Sequence, residues 1–241
     1  MGGNACSNRV DFRTRSYEEI CQEVETNLKL SDLNWTQYLE ALAQHTVKTD
    51  TFTTPEIMHT LLKLGMCPEY RGDIIRLRSI IDYIVNSKNQ IKNFQYFGLF
   101  YCQGNIEEKF NYLWYSLGGK ADGTGGINCD VAENAAAFLI HVAGVLIPSV
   151  VENAEKNKSI NLLESLNSRF EGDVACKWLE GIELGEEISK TKLYDWAVNS
   201  KQFTPTRARK ITLEFAKKYN AQLQYAENES ALKLSKMMAA D

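Results

Sequence analysis

Oxygen donors gather at one place in this chain. The stretch Lys120–Glu133 reads KADGTGGINCDVAE. Asp122, Thr124 and Asn128 fall at alternate positions, Gly126 offers a backbone carbonyl, and Glu133 follows. Oxygen ligands at such spacing, around a glycine turn, suit a hard cation, calcium first. Gly125 is placed to make the turn. The same loop does not read as a phosphate loop, because Lys120 precedes the glycines and no strand leads in.

A second chemistry belongs to the N-terminus. Gly2 follows the initiator Met, and the next residues, GNACS, approach an N-myristoylation signal. Cys6 stands where Ser or Thr is expected, with Ser7 one place late. Cys6 can itself carry a palmitate, and one chain alone anchors weakly. Arg9, Arg13 and Arg15 add attraction to an anionic membrane surface. The plain alternative is a disordered start.

Other chemistries find little support. His45, His59 and His141 are isolated, and no Ser-His-Asp arrangement can be argued, so no enzyme is expected. The six cysteines are scattered singly, which disfavours zinc and redox pairs and suits reduced thiols in an intracellular protein. The net charge of −4 argues against a nucleic-acid partner. Thr206–Lys210, TRARK, is a basic run that reads as a solvated helix face. No secretory signal leads the chain. No apolar run suffices to span a bilayer, since the most apolar stretch, 135–151, carries His141 and Pro148.

The elements that must position these groups are helices. The 241 residues are 44% hydrophobic with only 4 prolines, enough for a core with short connections. Ser16 and Glu19 form a capping box, and Thr53 and Glu56 another. Apolar stripes at helical spacing include Phe110, Leu113, Trp114 and Leu117 before the glycine loop, with Asn128 capping the helix after it. Helix, short polar loop, lone apolar residue, helix occurs four times, around Phe52, Ile91, Ile127 and Ile188. Gln103-Gly104-Asn105 divides the four units two and two.

Helix, glycine loop, Ile, helix is the outline of an EF-hand. The chain resembles four-hand EF-hand proteins of the neuronal calcium sensor, calcineurin B and calaxin type. GNIEEKFNYLWYSL, Gly104 to Leu117, resembles the family's interlobe linker and the entering helix of hand three. The glycine-led N-terminus resembles the acylated members. The pattern covers roughly Tyr17 to Ser200. The resemblance implies that lone apolar residues pair loops two by two through a short β-bridge. It also implies partners among cytoskeletal, ciliary or membrane-protein helices.

A calcium loop takes side-chain ligands at positions 1, 3, 5, 9 and 12, the last a bidentate Glu. Anchored on the lone apolar residues, the first loop holds His45, Val47, Thr49, Thr53 and Glu56 at these positions. The second holds Ile84, Asn86, Lys88, Lys92 and Gln95, and the fourth Gly181, Glu183, Gly185, Ser189 and Lys192. Lysines there repel a cation. The third holds Lys120, Asp122, Thr124, Asn128 and Val131, with Glu133 two residues late. Its entering side is also about four residues longer than the twelve-residue pattern.

The expectation is an all-α fold of two EF-hand-like lobes, 16–104 and 105–200, after a flexible 1–15. A helical extension, 201–241, fills a groove in cis or docks onto a partner. The favoured function is a non-enzymatic adaptor or light-chain-type subunit, without a cofactor and largely indifferent to calcium. It would be cytoplasmic, at a membrane, cilium or cytoskeleton. A partner's amphipathic helix would lie in apolar grooves lined by Trp35, Leu61, Phe94 and Phe97 in one lobe, and by Phe110, Trp114, Phe138 and Trp178 in the other. The alternative is a calcium sensor with one residual site, Asp122, Thr124, Gly126, Asn128 and Glu133, and an acylated N-terminus at Gly2 or Cys6.

Overall fold

A computed structural model describes residues 16–46, 51–66, 71–149, 168–182 and 187–238. Gly2 and Cys6 lie outside the described residues, as do Val47, Thr49, Glu183 and Gly185 of the first and fourth loops. The protein is all-α apart from one two-stranded sheet. In order come α1 (Tyr17–Asn27), α2 (Trp35–Thr46), α3 (Thr54–Lys63), α4 (Arg71–Val85), α5 (Gln90–Tyr101) and α6 (Ile106–Ser116). Then come β1 (Gly126–Asn128), α7 (Cys129–His141), α8 (Ser168–Leu179), β2 (Glu187–Ser189), α9 (Lys190–Tyr194) and α10 (Pro205–Met238).

The caps form where the polar side chains predict them. Ser16 and Glu19 exchange both bonds of a capping box at α1, and Thr53 and Glu56 do so at α3. Asn105 accepts from the Glu107 and Glu108 amides at α6. Asn128 caps α7, and Ser189 caps α9. Each cap satisfies amides that the first helical turn leaves without intrahelical partners.

The two loop pairs differ. Ile127 and Ile188 face each other in an antiparallel register that joins β1 to β2, and both are buried. This is the pairing implied for the third and fourth loops. In the first pair, Ile91 lies inside α5 and not in a loop, so it gives Phe52 no strand partner. The Gln90 carboxamide takes that role instead. Phe52 N donates to Gln90 Oε1 at 2.7 Å, and Gln90 Nε2 donates to Phe52 O at 3.3 Å and to Val85 O. One side-chain amide thus reproduces a two-bond β-bridge. Gln90→Leu is expected to cost about 2 kcal/mol by urea denaturation, because it removes three hydrogen bonds to backbone groups. A loss below about 0.5 kcal/mol would show that the bridge is dispensable.

α7 runs on through a π turn, Val142–Leu146, into Ile147–Ser149. Cys129–Ser149, 21 residues, is long and apolar enough to cross a bilayer, contrary to the expectation from His141 and Pro148. Most of it is buried instead as the central helix of the core. The π turn sits where Pro148 cannot donate to the Gly144 carbonyl. The Tyr17 hydroxyl of α1 donates to that carbonyl. Gly144 also meets α10, since a Cβ there would lie 3.1 Å from Thr212. α1, α7 and α10 therefore converge on one glycine.

The buried hydrophobic residues form one cluster running through both predicted lobes and α10. The linker is pinned to α2: Trp35 N donates to Gln103 O at 2.7 Å, and Gln103 N donates to Leu33 O at 2.8 Å.

Candidate functional site

The third loop is built on Trp114. Its indole is fully buried at the end of α6, and Nε1 donates to the Lys120 carbonyl at 2.8 Å. The Gly119 amide donates back to Trp114 O at 2.9 Å. From there Gly123 and Gly125, both at positive φ, reverse the chain towards β1.

The predicted oxygen donors do not converge. Asp122 and Thr124 are together, but Asp122 Oδ1 accepts from the Thr124 amide at 2.9 Å and its hydroxyl at 2.7 Å. Those bonds, the amide first, hold the exposed Asp122 carboxyl below its usual value. Asn128 Oδ1 is spent on the Asp130 amide, 2.7 Å. Gly126 is committed to β1, where an added Cβ would lie 2.6 Å from Glu187 Cβ. Glu133 sits on α7 beside Cys176 of α8, whose thiol is pushed up by burial and by that carboxylate.

Two lysines reach the loop in place of further carboxylates. The Lys120 amino nitrogen would lie 4.0 Å from a Cβ added at Gly125, and Lys190 Cδ 3.5 Å from one at Gly123. Among the described residues no three His, Cys, Asp or Glu side chains are grouped to hold a metal. The first loop's Glu56 is likewise taken, accepting from Thr53 N at 2.9 Å and Thr53 Oγ1 at 2.7 Å. The described donors of these loops therefore do not fit a calcium ion, which needs several free oxygens aimed at one point.

Comparison with protein-family models, curated proteins and solved structures finds no match to this chain. The chemistry of the site accordingly rests on its own residues.

The predicted groove residues need a correction. Trp35, Leu61, Phe94, Phe97, Phe110, Trp114, Phe138 and Trp178 are each at most 8% exposed and belong to the core. Of the eight, Trp178 also lines a concavity beside α10, and the other seven are packed into the core. Trp35 stacks on Tyr38 and meets Tyr112 edge-on, and Phe94 packs on Phe52. Phe110 meets Tyr194, and Trp178 meets Phe100, Trp196 and Phe203. Helical stripes are what a core requires of a helix, and spacing alone does not separate core from groove.

The basic run TRARK is also corrected. Arg209 is 1% exposed, not solvated. Its guanidinium binds Glu18 at 2.7 and 2.8 Å, and it also pairs with Glu25. Thr206 Oγ1 donates to Glu18 at 3.0 Å. Burial raises the Glu25 carboxyl, whereas the bonds from Arg209 hold Glu18 low against its desolvation. Cys21, beside them, is pushed up to about 12 by burial and is inert as a nucleophile. Spacing in TRARK carries no signal that one of its cations turns inward.

No motif in the chain signals a cavity of about 640 Å³ between α8, the π turn Asp195–Asn199 and α10. Its walls come from elements far apart in the chain.

Proposed function

We propose that this protein is a non-enzymatic helical adaptor, built from helix-loop-helix units of EF-hand type whose loops hold themselves without an ion. One observation carries the reading: two loops pair through Ile127 and Ile188, each followed by a capped helix, while Lys120 and Lys192 occupy ligand positions. The pairing serves architecture, and the lysines supply a charge that an ion would otherwise bring. Asp122 and Glu56, the carboxylates best placed to bind, are consumed by local turns. Such a protein is fixed in one state and not switched by calcium.

The partner would be a protein presenting an amphipathic helix. With the predicted groove residues in the core, the apolar surface left for it includes Ile74 and Ile75 of α4 and Ile106 and Tyr115 of α6. An intracellular, membrane or cytoskeletal setting follows from the same reading.

Calorimetric titration with calcium chloride is the direct test. No saturable heat and no shift of the melting temperature are expected at millimolar calcium. Affinity purification of the native protein should retain the same stoichiometric partner in chelator and in calcium. Saturable binding that disappears in Asp122→Ala would replace this reading with the calcium sensor.

A further inference from the structure

The cavity beside α10 is a concavity that the adaptor reading leaves unused. Its volume, about 640 Å³, lies within the range of small-molecule sites. Its apolar lining is Trp178, Trp196, and Ile211 and Phe215 of α10, among polar side chains. The wall is rigid. Trp178 Nε1 donates to Gln202 O, and Trp196 Nε1 donates to Trp178 O, both at 3.1 Å. The indole N–H groups are thus satisfied by backbone carbonyls, so what either ring offers the cavity is apolar.

Charge is placed at the ends of this trough. Arg207, Ile211, Phe215 and Lys218 share one face of α10. The eleven helical steps from Arg207 to Lys218 give a trough about 16 Å long. Arg207 Nε is fixed by Gln202 Oε1 at 2.7 Å, and its terminal nitrogens have no protein partner among the described residues. Lys177 is taken by Glu180. Glu180 and Glu214 also line it and disfavour a polyanion such as a nucleotide. A long apolar body with a single anionic head satisfies both conditions.

We propose that this trough binds a free single-chain amphiphilic carboxylate. The carboxylate pairs with Arg207, and the chain lies along Ile211 and Phe215 against the two indoles. A guanidinium held at one nitrogen presents a preorganised fork to a carboxylate. The site is separate from the loops, so the calcium titration does not bear on it.

The probe is dodecanoate below its micellar concentration, with dodecanol and acetate as controls. Calorimetry and tryptophan fluorescence on the full chain are expected to show one dodecanoate bound per chain. Dodecanol is expected to bind about tenfold more weakly, and acetate not measurably. Arg207→Gln is expected to weaken dodecanoate about tenfold while leaving dodecanol unchanged, the worth of one charge-assisted hydrogen bond. Circular dichroism checks that this variant folds. Three results would overturn the proposal: no saturable binding, several molecules bound per chain, or equal affinity for dodecanoate in wild type and Arg207→Gln. Transfer of the protein to phosphatidylserine vesicles without binding of monomeric dodecanoate would also overturn it, in favour of a bilayer surface.

Discussion

Arg209→Met is expected to cost about 3 kcal/mol in unfolding free energy at neutral pH, with the cost growing as pH rises. Arg209 is the one cation of a buried cluster, and methionine keeps much of its volume while removing the charge. Breaking a buried pair from one side costs 3–5 kcal/mol, because the abandoned charge stays desolvated. The lower end applies here, since the side chains of Glu18 and Glu25 keep 31% and 17% of their exposure. In the wild type, Glu18 is held below its ordinary value of 4.5, so its contribution is present above that pH and lost as pH falls. Glu25 is raised by burial, so it works the other way and loses stability as pH rises through its folded value. Removing Arg209 abolishes the first effect and enlarges the second. The gap between wild type and variant should therefore be small near pH 4.5 and widest near pH 7.5. Urea denaturation across that range measures it, and a gap that stays constant with pH would sink the account. Adding Glu18→Gln and Glu25→Gln to Arg209→Met should recover part of the loss at pH 7.5.

Trp114→Ala is expected to cost more, about 4 kcal/mol. The indole is the largest fully buried side chain among the described residues. It packs so closely on Gly119 that a Cβ there would lie 2.1 Å from the ring. Its removal leaves a cavity and strands the Lys120 carbonyl, which accepts from Nε1 at 2.8 Å. The effect should be local as well as global. Hydrogen exchange at Ile127 and Ile188 should accelerate, because the Trp114 indole holds the start of the loop leading into β1. A Trp114→Ala protein within about 1 kcal/mol of wild type, with β1–β2 protection intact, would show that the loop holds itself. Trp114→Phe separates the two terms: it keeps most of the apolar volume and loses only the donor, about 1–2 kcal/mol.

Local chemistry explains which parts of this fold can be read from the chain. Ser16, Thr53, Asn128 and Ser189 cap the helices expected of them, because a cap involves residues two or three apart. The repeated pattern marks Ile127 and Ile188 as loop residues of one kind, the resemblance implies their pairing, and the two are paired in β1 and β2. Ile91 failed the same reading, because Gln90 begins a helix and supplies a side-chain amide where a strand was expected. A bridge made by a side chain leaves no period in the sequence.

The chain alone determined the helical character of this protein, its principal caps and the poverty of its calcium ligands. These depend on residue type and short spacing. Tertiary structure decided the rest. It put all eight groove candidates in the core, turned Arg209 inward onto Glu18 and Glu25, and closed a trough between α8 and α10. Whether an apolar stripe faces core or partner, and whether an arginine faces water or carboxylate, depends on which helix arrives opposite it. Arg209 lies 191 and 184 residues from its partners, and no local spacing can record that.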